Sequence, residues 1–139
     1  MNRMIVRACV AVIAAGLLAA PAQAGVRHFQ GTVEGGGTVA FDVQFKHGKP
    51  KLAGNIDFGA VPVTCDEGNR SRHFFTKNMV SVTHRRFQYE FRGFKASLHG
   101  KLNKKGKKAT GDVSYGPNSP EPSSTNCSTG GPRNWHASR

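Results

Sequence analysis

Acidic residues are scarce: eight Asp and Glu stand against 20 Lys and Arg in 139 residues, giving a formal net charge of +12. That balance excludes the carboxylate-rich surface of a calcium-binding module. Long apolar runs are missing as well. The longest, residues 8–20, is 13 residues and falls short of the roughly 20 needed to cross a bilayer as a helix. Sustained helical patterning is absent, and 17 Gly and 7 Pro argue against a helical bundle. No C-x-x-C or H-x-x-x-H pair occurs, so no zinc signature is present. No G-x-S-x-G occurs, so the nucleophile elbow of an α/β-hydrolase is excluded. What remains is 37% hydrophobic and 9% aromatic, enough for one modest core, and the length suits one domain.

The first 24 residues read as an export signal. Arg3 and Arg7 make a basic start, the apolar run follows, Pro21 breaks it, and Ala22-Gln23-Ala24 fits an A-x-A cleavage site. Residues 25–139 are then expected to be a single all-β domain of 115 residues with a formal charge of +10 and no transmembrane span. The protein is expected to be secreted or held in the cell envelope. Removal of the leader takes Cys9 away and leaves Cys65 and Cys127. In an exported domain these most simply form one disulfide; two free thiols are the alternative.

Strand periodicity dominates the rest. Val39, Phe41, Val43 and Phe45 alternate with mostly polar residues, the period of a half-buried strand. Residues 26–33 read as its partner across Gly35-Gly36-Gly37. Residues 52–58 form a short strand, and Gly59-Ala60-Val61-Pro62 is expected to turn the chain. Phe87, Tyr89 and Phe91 alternate again; Phe94, Ala96, Leu98, Gly100 and Leu102 continue after Gly93. Asn103-Lys104-Lys105-Gly106 predicts a hairpin turn. Residues 116–124 are a Pro-rich loop, and residues 133–138 end the chain as a strand with Trp135 and Ala137 on one face. Eight to ten short strands and no helix predict an antiparallel β-sandwich, with a closed β-barrel as the alternative. Phe41, Val43, Phe45, Phe87, Tyr89, Phe91, Phe94, Leu98, Val113 and Trp135 are the expected core. Adjacent Phe74 and Phe75 must face opposite ways within a strand, so one of them is expected at the surface.

Candidate chemistry is thin. The registers place His28, His99 and His136 outward, and His47 and His84 beside turns. Asp42, Glu90 and Asp112 fall on polar strand faces, where ion-paired surface roles are expected. No catalytic residue, metal ligand or cofactor site is assigned. The basic excess is the feature left: Lys101, Lys104, Lys105, Lys107 and Lys108 crowd one hairpin, and Arg85, Arg86 and Arg92 flank the aromatic strand. Such clusters attract polyanions through counterion release without sequence readout. Specific nucleic-acid recognition is not expected, because Lys95 and Ala96 break the briefly RNA-binding-like Arg92-Gly93-Phe94.

Phe29-Gln30-Gly31-Thr32, the residue 39–45 strand, Cys65, residues 87–94, Ala109-Thr110-Gly111 and Cys127-Ser128-Thr129-Gly130 before Trp135-His136-Ala137 form an ordered set. In this order the chain resembles small exported bacterial proteins, common in actinobacteria, that carry one β-rich domain and no assigned activity. The resemblance covers nearly all of residues 25–139. It implies a β-sandwich with a Cys65–Cys127 bridge and brings no catalytic residues. The chain departs from that pattern in the basic 101–108 hairpin and the 116–124 loop. Three functions remain: a non-enzymatic binder of an anionic polysaccharide or other envelope polymer, a small secreted hydrolase, or a partner-binding or inhibitor module using the 116–124 loop.

Overall fold

The computed structural model describes residues 25–91, 95–116 and 126–139. Residues 1–24, where the export signal is expected, Arg92, Phe94 and most of residues 116–124, the expected loop, lie outside the described residues. Ten strands are present among the described residues: β1 (Gly25–Val33), β2 (Thr38–Lys46), β3 (Lys49–Cys65), β4 (Gly68–Thr76), β5 (Val80–Ser81), β6 (Arg86–Phe91), β7 (Ala96–Leu102), β8 (Lys108–Tyr115), β9 (Cys127–Ser128) and β10 (Arg133–Ser138). All pairings are antiparallel. The all-β architecture is as expected.

One continuous sheet in the order β4-β3-β2-β1-β10-β8-β7-β6 curls on itself into a half-barrel. The two layers that enclose the core are therefore two halves of one sheet. The outer edges of β4 and β6 face each other across the open seam through side chains. Phe74 and Phe91 lie 5.8 Å apart between ring centroids. The Tyr89 hydroxyl accepts from Thr76 Oγ1 at 3.0 Å and from Asn78 Nδ2 at 2.9 Å.

Period-two patterning explains which face fills the curl. Phe29 and Val33, then Val39, Phe41, Val43 and Phe45, are all buried, and the polar residues between them face out. Phe41 stacks on Phe29 at 5.0 Å and meets the Trp135 edge at 5.7 Å, so β1, β2 and β10 share one aromatic cluster. Of the expected core residues, Tyr89 is only half-buried and the other described ones are buried. Phe74 is 1% exposed and Phe75 51%, the split that strand alternation requires.

The turn expected at residues 59–62 is instead a bulge inside the 17-residue β3. Ala60 takes φ 52° there, and the pairing with β4 slips between Phe58 and Val61. A single extra residue kinks the strand without ending its ladder. This lets β3 run on to Cys65, where it pairs with Cys127 of β9 and carries the Cys65–Cys127 disulfide. The bridge spans 62 residues of sequence; closing a loop of that order is worth about 4 kcal/mol in the chain-entropy account. Next to it, Thr129 Oγ1 accepts from the Tyr115 amide at 3.0 Å, tying β9 to the end of β8.

Candidate functional site

The outer face is best described in cross-strand rows. Antiparallel registers align Gln88, His99, Asp112 and Asn134 in one outward row, and Arg86, Lys101, Thr110, His136 and Thr32 in the next. Between them runs an inward-pointing row: Phe87, Gly100, Gly111, Trp135 and Val33. On the outer face this middle row shows only backbone, so it forms the floor of a groove with the two polar rows as walls.

Two adjacent glycines, Gly100 and Gly111, stand in that floor. A Cβ on Gly100 would stand 2.3 Å from the Phe87 ring, and one on Gly111 would stand 1.9 Å from the His99 carbonyl oxygen and 2.5 Å from the Trp135 ring. Phe87 and Trp135 thus pack their rings directly on glycine backbone from the inside. On the outer face a hollow lies over these two glycines. The hollow measures about 750 Å³ over β6, β7 and β8, closed at one end by Val80, Ser81 and Thr83. A second hollow of about 710 Å³ continues it over β8, β10 and β1, sharing Thr110, Gly111 and Asp112. Five strands at their usual spacing make the whole about 20 Å long.

The cationic residues singled out from the sequence divide between two places. Arg86 and Lys101 are paired in register on the groove wall. Arg85, Lys101 and Lys108 line a smaller neighbouring hollow of about 340 Å³. Lys104, Lys105 and Lys107 sit in the β7–β8 turn, where Asn103 Oδ1 accepts from the Lys107 and Lys108 amides at 3.0 and 3.3 Å. That turn lies against the end of the half-barrel: Gly106 abuts the Phe45 ring, over which the Arg27 guanidinium stacks at 3.9 Å. Arg92 lies outside the described residues. Among the described residues no carboxylate reaches ion-pair distance of Arg85, Arg86, Lys101 or the turn lysines.

The turn that delivers the arginines is strained. Thr83 and Arg86 exchange two backbone hydrogen bonds of 2.9 Å, and the residues between them, His84 and Arg85, have φ of 49° and 65°. A two-residue turn of this kind favours Asn-Gly; ordinary L-residues cost about 1 kcal/mol each in the left-handed region. The sequence places His84 beside a turn, but no Asn-Gly marks its strained two-residue form.

Ion-paired roles are expected of Asp42 and Asp112; what sequence reasoning missed is that their partners are histidines of the neighbouring strands. His99 Nδ1 lies 3.1 Å from Asp112 Oδ1 on the groove wall. His73 Nε2 lies 2.7 Å from Asp57 Oδ1, and His28 Nδ1 lies 2.8 Å from Asp42 Oδ1. Partial burial pushes the Asp42 carboxyl up. Hydrogen bonds from Asn55 and His28, with the imidazole's charge, outweigh that and hold it below the usual carboxylate range. At the far end of the groove Asn134 Nδ2 donates to Glu34 Oε2 at 3.1 Å, and His136 Nε2 meets Thr32 Oγ1 at 3.2 Å.

Among the described residues no cluster of three or more His, Cys, Asp or Glu side chains could hold a metal ion. No helix among them is long and apolar enough to cross a membrane. Comparison of the chain with protein-family models, with curated proteins and with solved structures gives no match.

Proposed function

We propose that the protein is an exported, non-enzymatic module that binds an anionic polymer of the cell envelope through its basic outer face, as a member of the exported bacterial family it resembles. The observation that supports this reading is a set of cations that have no acidic partner among the described residues: Arg85 in the turn before β6, Arg86, Lys101 and Lys108 on β6, β7 and β8, and Lys104, Lys105 and Lys107 in the turn between β7 and β8. Cations left unneutralised on one face gain by releasing the counterions of a polyanion. A cross-strand disulfide between Cys65 and Cys127 is compatible with an oxidising compartment outside the cytoplasm.

The hydrolase reading needs a nucleophile within hydrogen-bond reach of a base. Ser81 and Thr83 line the same hollow as the His99–Asp112 pair. Among the described residues no hydroxyl stands within hydrogen-bond distance of His99 Nε2. The geometry therefore favours binding over catalysis. The partner-module reading rests on a loop outside the described residues and gains nothing from the geometry.

The test is retention on a heparin column across a salt series. Charge reversal of Lys104, Lys105, Lys107 and Lys108 is expected to lower the log–log salt slope by at least about 3, the loss of four counterion-releasing contacts. Retention that ignores salt, or that survives those substitutions unchanged, overturns the proposal.

A further inference from the structure

The groove is not uniformly basic, and its asymmetry names a ligand. Its β6–β7 end carries Arg86 and Lys101, neither with an acidic partner among the described residues. Its middle and far end carry two carboxylates, Asp112 and Glu34. A polymer charged on every unit, such as a nucleic acid or polyphosphate, would satisfy the first end and be repelled by the second. A ligand that fits both must offer negative charge at one end and neutral hydrogen-bonding groups along the rest.

The polar groups along the walls suit hydroxyls. Asp112 accepts from or pairs with His99 through Oδ1 alone, which leaves Asp112 Oδ2 and His99 Nε2 without protein partners among the described residues. Asn134 and Glu34 likewise use one atom each on one another and present a second. A carboxylate can accept from one hydroxyl of a sugar while the ring nitrogen or amide beside it donates to or accepts from the next. The inward-pointing row leaves only backbone on the groove floor, which admits close approach of a ring. A length of about 20 Å over five strands is that of an oligosaccharide rather than of a single sugar.

We infer that the groove between Arg86–Lys101 and Asp112–Glu34 binds a sparsely acidic glycan, with its acidic group on Arg86 and Lys101 and neutral sugar hydroxyls along Asp112, His99, Asn134 and Glu34. This rests on the anionic-envelope-polymer reading above and narrows it to a glycan with few charges. The turn lysines then supply attraction from a distance, and the groove supplies recognition.

The test uses the purified disulfide-bonded protein and three probes: aldotetraouronic acid (three neutral xyloses bearing one methylglucuronate), neutral xylotetraose and a heparin tetrasaccharide. Amide chemical shifts and titration calorimetry are the readouts. The uronate probe is expected to shift amides of Gly100, Gly111 and their strand neighbours and to bind about tenfold more tightly than xylotetraose. Arg86→Ala with Lys101→Ala should abolish that preference. Asp112→Asn should weaken both xylose probes by about tenfold and leave heparin binding equal or stronger, because a repulsive charge is gone. Asp112 is at the surface, so the variant is expected to fold, and an amide spectrum verifies it.

Equal binding of acidic and neutral probes, shifts confined to the β7–β8 turn, or a gain in uronate affinity with Asp112→Asn would each overturn the inference. Heparin retention without uronate binding would sink the glycan assignment and leave the polymer reading standing. Failure of all three probes would sink both.

Discussion

The His28–Asp42 and His99–Asp112 pairs are the same device in two settings. Each joins facing residues of adjacent antiparallel strands on the outer face. In the first, both oxygens of Asp42 and both ring nitrogens of His28 are engaged. Asn55 Nδ2 donates to Asp42 Oδ2 at 2.7 Å, and Gln30 Nε2 reaches His28 Nε2 at 3.0 Å. In the second, Asp112 Oδ2 and His99 Nε2 are open among the described residues, and both residues line a hollow floored by Gly100 and Gly111. In the first pair every carboxylate oxygen and ring nitrogen has a protein partner. The second is a polar wall with spare capacity over a groove. Residue type does not separate structure from site here; unused hydrogen-bond capacity next to a cavity does.

The largest way to break this contrast is to refill the groove floor from inside. Gly111→Ala places a methyl against the His99 carbonyl and the Trp135 ring, where backbone must move. We expect a loss of about 3 kcal/mol, seen as a lower urea midpoint, together with displacement of His99 from Asp112. Gly25→Ala, whose added Cβ meets nothing within 4 Å, should change stability by less than about 0.5 kcal/mol. A tolerated Gly111→Ala would mean that the hollow does not depend on bare backbone.

These glycines also show where sequence reading stops. Period-two patterning is local, so it identified β2, β6, β7 and β10 and the outward sense of His28, His99 and His136. It placed Gly100 on the inner face in the same row as Leu98 and Leu102. It carried no information on which strand lies next to which. The pairing of Gly100 with Gly111, and of Arg86 with Lys101, exists only after β6, β7, β8 and β10 line up. The bulge at Ala60 was hidden for a related reason. Gly59 and Pro62 flank it with ordinary turn chemistry, and only pairing with β4 on its far side keeps β3 extended. The basic cluster was legible as composition, whereas the acidic half of the groove was not, because Glu34 and Asp112 are 78 positions apart in the sequence.

A smaller perturbation separates stability from binding. The His84–Arg85 turn holds two L-residues at positive φ at the groove's end, whereas the network at Asp42 holds one, Asn55, a residue type that tolerates the left-handed region. Arg85→Gly should relieve the strain and raise stability by about 1 kcal/mol. It should also lower the salt needed for elution from heparin, since one unneutralised cation is lost. Opposite signs in unfolding and retention are what a turn kept for ligand contact predicts. Destabilisation by Arg85→Gly would show instead that the arginine side chain supports the fold.

The finest test compares the two aspartates by amide substitution and pH. Both oxygens of Asp42 accept, one from His28 and one from Asn55. An asparagine at 42 has one acceptor and one donor, so one partner loses its bond, at a cost of about 1 kcal/mol at neutral pH for so exposed a network. Asparagine at 112 can keep its oxygen on His99 and turn its amide into the open groove, so Asp112→Asn should cost less than about 0.5 kcal/mol. The pH dependence follows from the lowered Asp42 pKa. A carboxyl that is more acidic folded than unfolded stabilises the fold above its unfolded value of about 3.9, and that contribution fades as pH falls through the folded value. The gap between the protein and Asp42→Asn in urea midpoint should therefore be constant from pH 7 to about 5 and shrink below about 4. A gap that widens on acidification would show that Asp42 is not held ionised by its neighbours, and the distinction between a closed and an open aspartate pair would lose its physical basis.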